Sequence, residues 1–233
     1  MEPCSRATLD HLLNIASSSP VDLEIEADAS GVGVRLLKPA LFFHHSFVSG
    51  ALARRARQSN QALLKACNNK SRSIDKVLDL TAGWGADSLI LANHGQQVTM
   101  VEQNSLVFAV LVCSREVLAQ DPASTGIARR MSLENVDAGE YLRGLDATHE
   151  FDCIYLDPMF PAHKSSAKPA KEMQVLQALT DNQGIETVFD LALQRARKRV
   201  VVKRPAKAAK LTDIKPDIVY REKTIRFDVY LTA

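Results

Sequence analysis

A chain of 233 residues with 46% hydrophobic and 24% charged side chains has ordinary globular composition and is long enough to bury a core unaided. No apolar run reaches the roughly 18 residues that a membrane span needs, and the opening Met1-Glu-Pro-Cys-Ser-Arg6 lacks the basic-then-apolar order of a signal peptide. The net charge of +2 does not decide for a polyanionic partner; Cys4, Cys67, Cys113 and Cys153 are too scattered for a zinc site or a disulfide framework, so a cytoplasmic chain with free thiols is expected.

Taken in order, Val21–Ala27 and Val32–Leu37 both alternate around Asp28-Ala-Ser-Gly31, which predicts a hairpin. Residues from about Ser49 to Cys67 have helical spacing, with Leu52, Ala56, Leu63, Leu64 and Cys67 inward and Arg54, Arg55 and Arg57 on the other face. Residues 1–70 thus read as an N-terminal extension, and 71–233 as the main domain. From Lys76 strands and helices alternate. Strands are predicted at Val77–Leu80, Gln97–Glu102, Ile127–Leu133, Phe151–Leu156 and Arg199–Lys203, with helices at Asp87–His94, Ser105–Ala119 and Ile185–Ala196. The runs Asp217–Tyr220 and Arg226–Leu231 follow. Such a succession implies a doubly wound α/β domain with a mostly parallel sheet, closed by an antiparallel C-terminal pair.

Asp79-Leu-Thr-Ala-Gly83-Trp-Gly85-Ala-Asp87 lies where the first of these strands turns into its helix. Glycines there let a ligand approach the backbone at the crevice such sheets use for binding. Ser88 stands where the third glycine of a dinucleotide fingerprint would be, and Asp79 is unfavourable to a diphosphate. Both details favour S-adenosylmethionine, whose ammonium group Asp79 is suited to bind. Asp87 is placed to act as a cap in the first helical turn. Glu102, 23 residues beyond Asp79, is placed to accept the ribose hydroxyls, or else to cap the next helix.

Asp152-Cys-Ile-Tyr-Leu-Asp157-Pro158-Met-Phe160-Pro161 ends an apolar strand with a carboxylate, a proline and an aromatic ring. An exocyclic base amine is a poor nucleophile because its lone pair is delocalised. A carboxylate and a carbonyl that accept its two N–H groups favour pyramidal nitrogen, and Asp157 and the carbonyl of Pro158 are the candidates. Phe160 is suited to stack on the base, worth about 1–3 kcal/mol. No metal is required, since positioning alone can supply about 7–11 kcal/mol. Arg195–Lys210 is basic throughout, and Arg54, Arg55, Lys164, Lys171, Lys203 and Arg204 are candidate RNA phosphate contacts. His163–Lys171 reads as a segment able to close over the target base; His44, His45 and His163 read as packed or surface residues rather than bases.

Phe47-Val-Ser-Gly-Ala-Leu-Ala-Arg-Arg55, Asp79–Asp87, Val101-Glu-Gln-Asn104, Tyr155-Leu-Asp-Pro-Met-Phe-Pro161, Lys171-Glu-Met173 and Val200-Val-Val-Lys-Arg-Pro205 together resemble the ribosomal RNA small subunit methyltransferase J family. The resemblance runs from about Phe47 to the C-terminus. It implies a Rossmann-like class I methyltransferase fold, a seven-stranded mostly parallel sheet with an antiparallel C-terminal strand, and transfer to a guanine exocyclic amine of 16S RNA in the small ribosomal subunit. By position it places the methyl donor against Ala86, Asp87, Glu102, Gln103, Asp137, Ala138 and Asp157, beside the loop residues Asp79, Gly83 and Gly85. Three departures stand out: Ala86 and Gln103 replace arginines of the family, and Arg57-Gln-Ser-Asn60 replaces a basic, glycine-rich stretch. The residues alone leave open a tRNA base, DNA adenine or a protein as acceptor, a non-catalytic RNA-binding module with a relic pocket, and a nicotinamide oxidoreductase.

Overall fold

The computed structural model describes residues 4–59, 61–68, 73–146, 151–159, 169–180 and 184–232. The N-terminal part begins with α1 (Arg6–Ser17), which was not foreseen and whose first turn is capped by Ser5, its hydroxyl accepting from the Thr8 N–H. The expected hairpin is β1 (Leu23–Asp28) and β2 (Gly31–Leu36), paired antiparallel. At its turn Asp28 Oδ1 accepts the Ser30 and Gly31 N–H groups. A third strand, β3 (Leu41–His45), pairs antiparallel with β2. The helix expected from Ser49 to Cys67 is two helices, α2 (Gly50–Ala56) and α3 (Ala62–Ala66). Gln61 holds the break, its side-chain amide donating to the carbonyls of Arg55 and Gln58.

The rest of the chain runs β4 (Lys76–Asp79), α4 (Ala86–Asn93), β5 (Gln97–Val101), α5 (Ser105–Gln120), α6 (Thr125–Ala128), β6 (Met131–Glu134), α7 (Ala138–Gly144), β7 (Cys153–Leu156), α8 (Lys171–Leu179), α9 (Ile185–Arg195), β8 (Arg199–Pro205), β9 (Ile218–Arg221) and β10 (Ile225–Leu231). The sheet order is β6-β5-β4-β7-β8-β10-β9, and β10 is antiparallel to both neighbours. This is the seven-stranded, mostly parallel α/β architecture expected. The strand predicted at 127–133 starts late because Thr125–Ala128 forms a helical turn.

Strand residues alternate between two apolar layers, as the pleat requires. Val77, Cys153, Tyr155, Val201, Phe227 and Val229 face α3, α4 and α5; Leu78, Ile154, Leu156, Val200, Val202 and Tyr230 face α7 and α9. Covered on both faces, the central strands are continuous apolar runs. A third layer joins Leu12, Val32, Val34 and Leu36 of the N-terminal part to Leu106, Val107 and Val110 of α5 and Val175 and Leu176 of α8. Here the expectation of free thiols fails for one pair: Cys4 and Cys113 form a disulfide with a Cα–Cα distance of 5.3 Å across a sequence separation of 109. Only the packing of the N-terminal segment on α5 brings them together. Cys67 and Cys153 are free and buried.

Candidate active site

The direction of strand order reverses between β4 and β7, so their C-terminal ends open a crevice. A cavity of about 760 Å³ occupies it, walled also by β3, α2 and α8. One side of it is the loop from Asp79 to Asp87. Gly83 (φ +50°) and Gly85 (φ +67°) hold left-handed conformations, and a Cβ on Gly85 would lie 2.9 Å from Phe47 Cζ and 3.0 Å from Leu111 Cδ2. Asp79 is buried, accepting the Ser88 hydroxyl at 2.6 Å and the Thr81 N–H at 3.1 Å. Ser88, at the site of the missing third glycine, therefore orders the loop's carboxylate. Burial pushes Asp79 up to about 7 against these hydrogen bonds.

Glu102 lies at the end of β5, with Oε2 accepting the Gly83 N–H at 3.0 Å and Oε1 the Asn104 N–H at 2.8 Å. Asn104, not Glu102, caps α5. Burial pushes Glu102 up to about 7, opposed by the N–H groups of Asn104 and Gly83. Gln103, Asp137 and Ala138 complete this wall, together with Ala86; Asp137 also caps α7, accepting the Glu140 N–H.

Opposite lies Asp157, with Pro158 and Met159 lining the same cavity. The Asp157 N–H donates to Thr81 Oγ1 at 2.6 Å, tying the end of β7 to the loop. Lys203 Nζ is 2.7 Å from both Asp157 Oδ2 and Asp87 Oδ2. Tyr155 donates its hydroxyl to Asp87 Oδ2 at 2.6 Å, and Arg55 Nη2 stands 3.5 Å from Asp87 Oδ1. Burial works to raise both carboxyls. Lys203 outweighs it at Asp87, with Tyr155 and Arg55, and holds that group below the usual carboxylate range. At Asp157 burial prevails, and its carboxyl stays above that range despite Lys203.

These residues suit S-adenosylmethionine. Asp79, Glu102, Asp137 and Asp157 give the cavity the negative character that an ammonium and a sulfonium require, between apolar walls from Leu80, Val101 and Leu176. Among the described residues no group of His, Cys, Asp and Glu is arranged to hold a metal.

The family described as "Putative SAM-dependent methyltransferase" matches residues 11–232. Ribosomal RNA small subunit methyltransferase J of Nitrosococcus oceani is 37% identical over 190 residues, 80% of this chain and 75% of that protein. The enzyme of the same name from Aeromonas hydrophila is 41% identical over 192 residues, 80% and 77% of the two chains. The chain belongs to the ribosomal RNA small subunit methyltransferase J family. Among solved structures, a SAM-dependent methyltransferase from Neisseria gonorrhoeae superposes with a TM-score of 0.74 at 28% identity, covering 99% of this chain and 93% of the other. Membership makes S-adenosylmethionine the cofactor.

The structure thus gathers Asp79, Gly83, Ala86, Asp87, Glu102, Gln103, Asp137, Ala138, Asp157 and Pro158 around one cavity. Gly85 lies between lining residues Trp84 and Ala86, where Phe47 and Leu111 leave no room for a Cβ. Phe160 and Lys164, with most of the segment His163–Lys171, lie outside the described residues. Two of the basic candidates need correction as phosphate contacts. Lys203 is engaged by two carboxylates, and Arg204 is buried with its guanidinium donating to the Ala209 carbonyl at 2.7 Å. Both sit on a strand covered on each face, where a cation is retained only with an internal partner. Arg54 and Lys171 are exposed, and Arg55 is half exposed at the cavity wall.

Sequence reasoning missed Thr81, the role of Tyr155, and the contribution of β3 and α8. Tyr155 had a signal, since a polar tip within an apolar strand ending in Asp-Pro needs a partner. Trp84 links these parts: its indole N–H donates to the Glu172 carbonyl at 2.8 Å and its ring packs on Phe43 at 5.1 Å. Its carbonyl meets the Nε2 of His45, whose Nδ1 meets Ser114, and burial lowers that imidazole to about 4. His45 is a packed residue. Trp84→Phe removes this donor and part of a buried ring, so unfolding should be easier by at least about 1 kcal/mol, or at least about 2–4 °C in Tm, measured by thermal denaturation.

Proposed function

We propose that the chain transfers a methyl group from S-adenosylmethionine to the exocyclic N2 amine of a guanine in 16S RNA, within the small ribosomal subunit. The observation that carries this reading is the Asp157-Pro158 turn: a carboxylate and a carbonyl at the edge of the donor cavity, the first fixed by Thr81 and Lys203. Such a pair accepts the two N–H groups of a planar amine and turns its lone pair outward. When bound, S-adenosylmethionine supplies an electrophilic methyl on a cationic sulfur. Held by Asp157 and the Pro158 carbonyl, the amine would be aimed at that methyl; on accepting it, with the donor's bonding pair staying on sulfur, it would release its surplus proton to water. The chain's part is to orient the amine, exclude other nucleophiles and hold a negative charge near the sulfonium.

The base must be unpaired or flipped out to reach Asp157. Phe160 is assigned to stack on it. Exposed Arg54, Arg57 and Lys171, with Lys164, are assigned to phosphates. The N-terminal residues 1–70 act as an RNA-facing extension of the methyltransferase domain at 71–233. The family names of the relatives favour ribosomal RNA over other amine-bearing substrates, and a ribosomal substrate puts the reaction in the cytoplasm. Among the described residues no helix is long and apolar enough to cross a membrane.

The test is incubation with labelled S-adenosylmethionine and small subunits that lack methylation, followed by digestion of the RNA to nucleosides. Label in N2-methylguanosine is expected. Label that enters only tRNA or DNA would overturn the substrate and leave the donor site standing.

A further inference from the structure

Lys203 leaves the phosphate-binding set once its surroundings are seen, yet its position is specific. Parallel pairing sets Leu156 of β7 opposite Val202 of β8, so the next residues, Asp157 and Lys203, emerge side by side at the mouth of the crevice. Lys203 shares the sheet face of Tyr155 and Val201, which is the face covered by α4. Its ammonium therefore meets Asp87 from α4 as well as Asp157, at 2.7 Å each, with only 18% of its side chain exposed. A phosphate contact would need this group in solvent.

We propose that Lys203 is a positioning residue for methyl transfer, holding the Asp157 carboxylate charged and fixed against α4 so that it meets the amine as an acceptor. This rests on the assignment of Asp157 as the amine acceptor. The chemistry requires it because a protonated Asp157 presents an O–H to the amine and loses its grip on one N–H. Burial and the neighbouring Asp87 both favour that protonated form; Lys203 opposes them at hydrogen-bonding distance, with Arg55 behind it. The other groups around the cluster do not replace it. Asp79 on β4 adds negative charge, Tyr155 on β7 stays neutral because burial raises its phenol, and Glu102 lies across the loop at Gly83. From β3, His45 is kept neutral by burial and His44 stands 3.3 Å from Asp28.

The direct test follows the carbon-13 signal of the Asp157 carboxyl through a pH titration of the intact protein, identified by its loss in Asp157→Asn. Removing an adjacent cation should raise the titration midpoint in Lys203→Met by about one to three pH units, and Lys203→Arg should restore it. Asp87→Asn keeps an acceptor for Tyr155 and leaves Lys203 to Asp157 alone, so its midpoint should fall. Opposite shifts in the two variants distinguish an electrostatic hold from misfolding. The acid limb of the single-turnover rate should move with the midpoint. An unmoved midpoint in Lys203→Met, or a rise in Asp87→Asn, overturns the proposal. If both midpoints shift as expected while Asp157→Asn transfers methyl at the normal rate, the acceptor role fails instead, and the two failures remain distinct.

Discussion

Asp157→Asn is expected to lower the single-turnover rate of methyl transfer by about 10²–10³-fold, the usual loss when one preorganised polar group leaves an active site. Asparagine matches aspartate in size, so the turn after β7 and the donation of its N–H to Thr81 are kept. What changes is the charge that the proposed mechanism assigns to accepting an amine N–H. The fold should not suffer. Lys203 retains Asp87 at 2.7 Å, so no cation is stranded, and a carboxyl that burial holds above its ordinary range is exchanged for a neutral amide. Thermal stability at neutral pH should therefore equal or exceed that of the wild type. Donor affinity, measured by calorimetry, should fall far less than the rate, because Asp79, Glu102 and Asp137 still line the cavity. A normal rate in this variant would remove Asp157 from the chemistry; a collapse of donor binding matching the rate loss would make it a cofactor contact alone.

The sheet was readable because each central strand is a short apolar run with its own boundary: Val77–Leu80 before a glycine loop, Phe151–Leu156 before Asp-Pro, Arg199–Lys203 after a helix. That Asp79, Gly83 and Glu102 share one cavity wall was readable for a related reason, since they sit at or just beyond strand ends, where position in sequence nearly fixes position in space. Pairings across the sheet were not readable. Lys203 and Asp157 are neighbours because of the register between β7 and β8, and a basic run in sequence does not reveal which members a strand buries. The same reason hides Cys4 and Cys113, joined by the docking of the N-terminal segment on α5. That disulfide also runs against the expectation of free thiols drawn from the scattered cysteines. α1 escaped notice because much of it is exposed, Leu12 being its buried residue. β3 was hidden by composition: Leu41-Phe-Phe-His-His45 lacks a polar-apolar alternation, since its outer face carries Phe42 beneath the Arg35 guanidinium, 4.7 Å from the ring centre.

Glu102→Gln should weaken donor binding by about 10- to 150-fold, corresponding to about 1.5–3 kcal/mol for hydrogen bonds to a charged group. The amide has one acceptor oxygen where the carboxylate has two, and the Gly83 and Asn104 N–H groups already compete for them. With Glu102 assigned to the ribose, the diol would meet a carboxylate acceptor in the wild type and a depleted neutral one in the variant. The sign of the pH dependence follows from burial, which raises the carboxyl from its ordinary 4.5 to about 7 in the ligand-free protein. Its contribution to stability is complete below the ordinary value and is lost as pH rises through about 7. The stability difference between variant and wild type should thus shift in favour of the variant from pH 5 to pH 8. Donor binding should run the other way. The donor selects the ionised carboxylate, so wild-type affinity should rise between pH 6 and pH 8 with release of a proton, seen by calorimetry in buffers of different ionisation heat. Asp79, also raised to about 7 by burial, contributes to the same window, so the variant should lose only part of the slope. An unchanged Kd and slope in Glu102→Gln would mean that this carboxylate serves the loop through Gly83 and takes no part in holding the ribose.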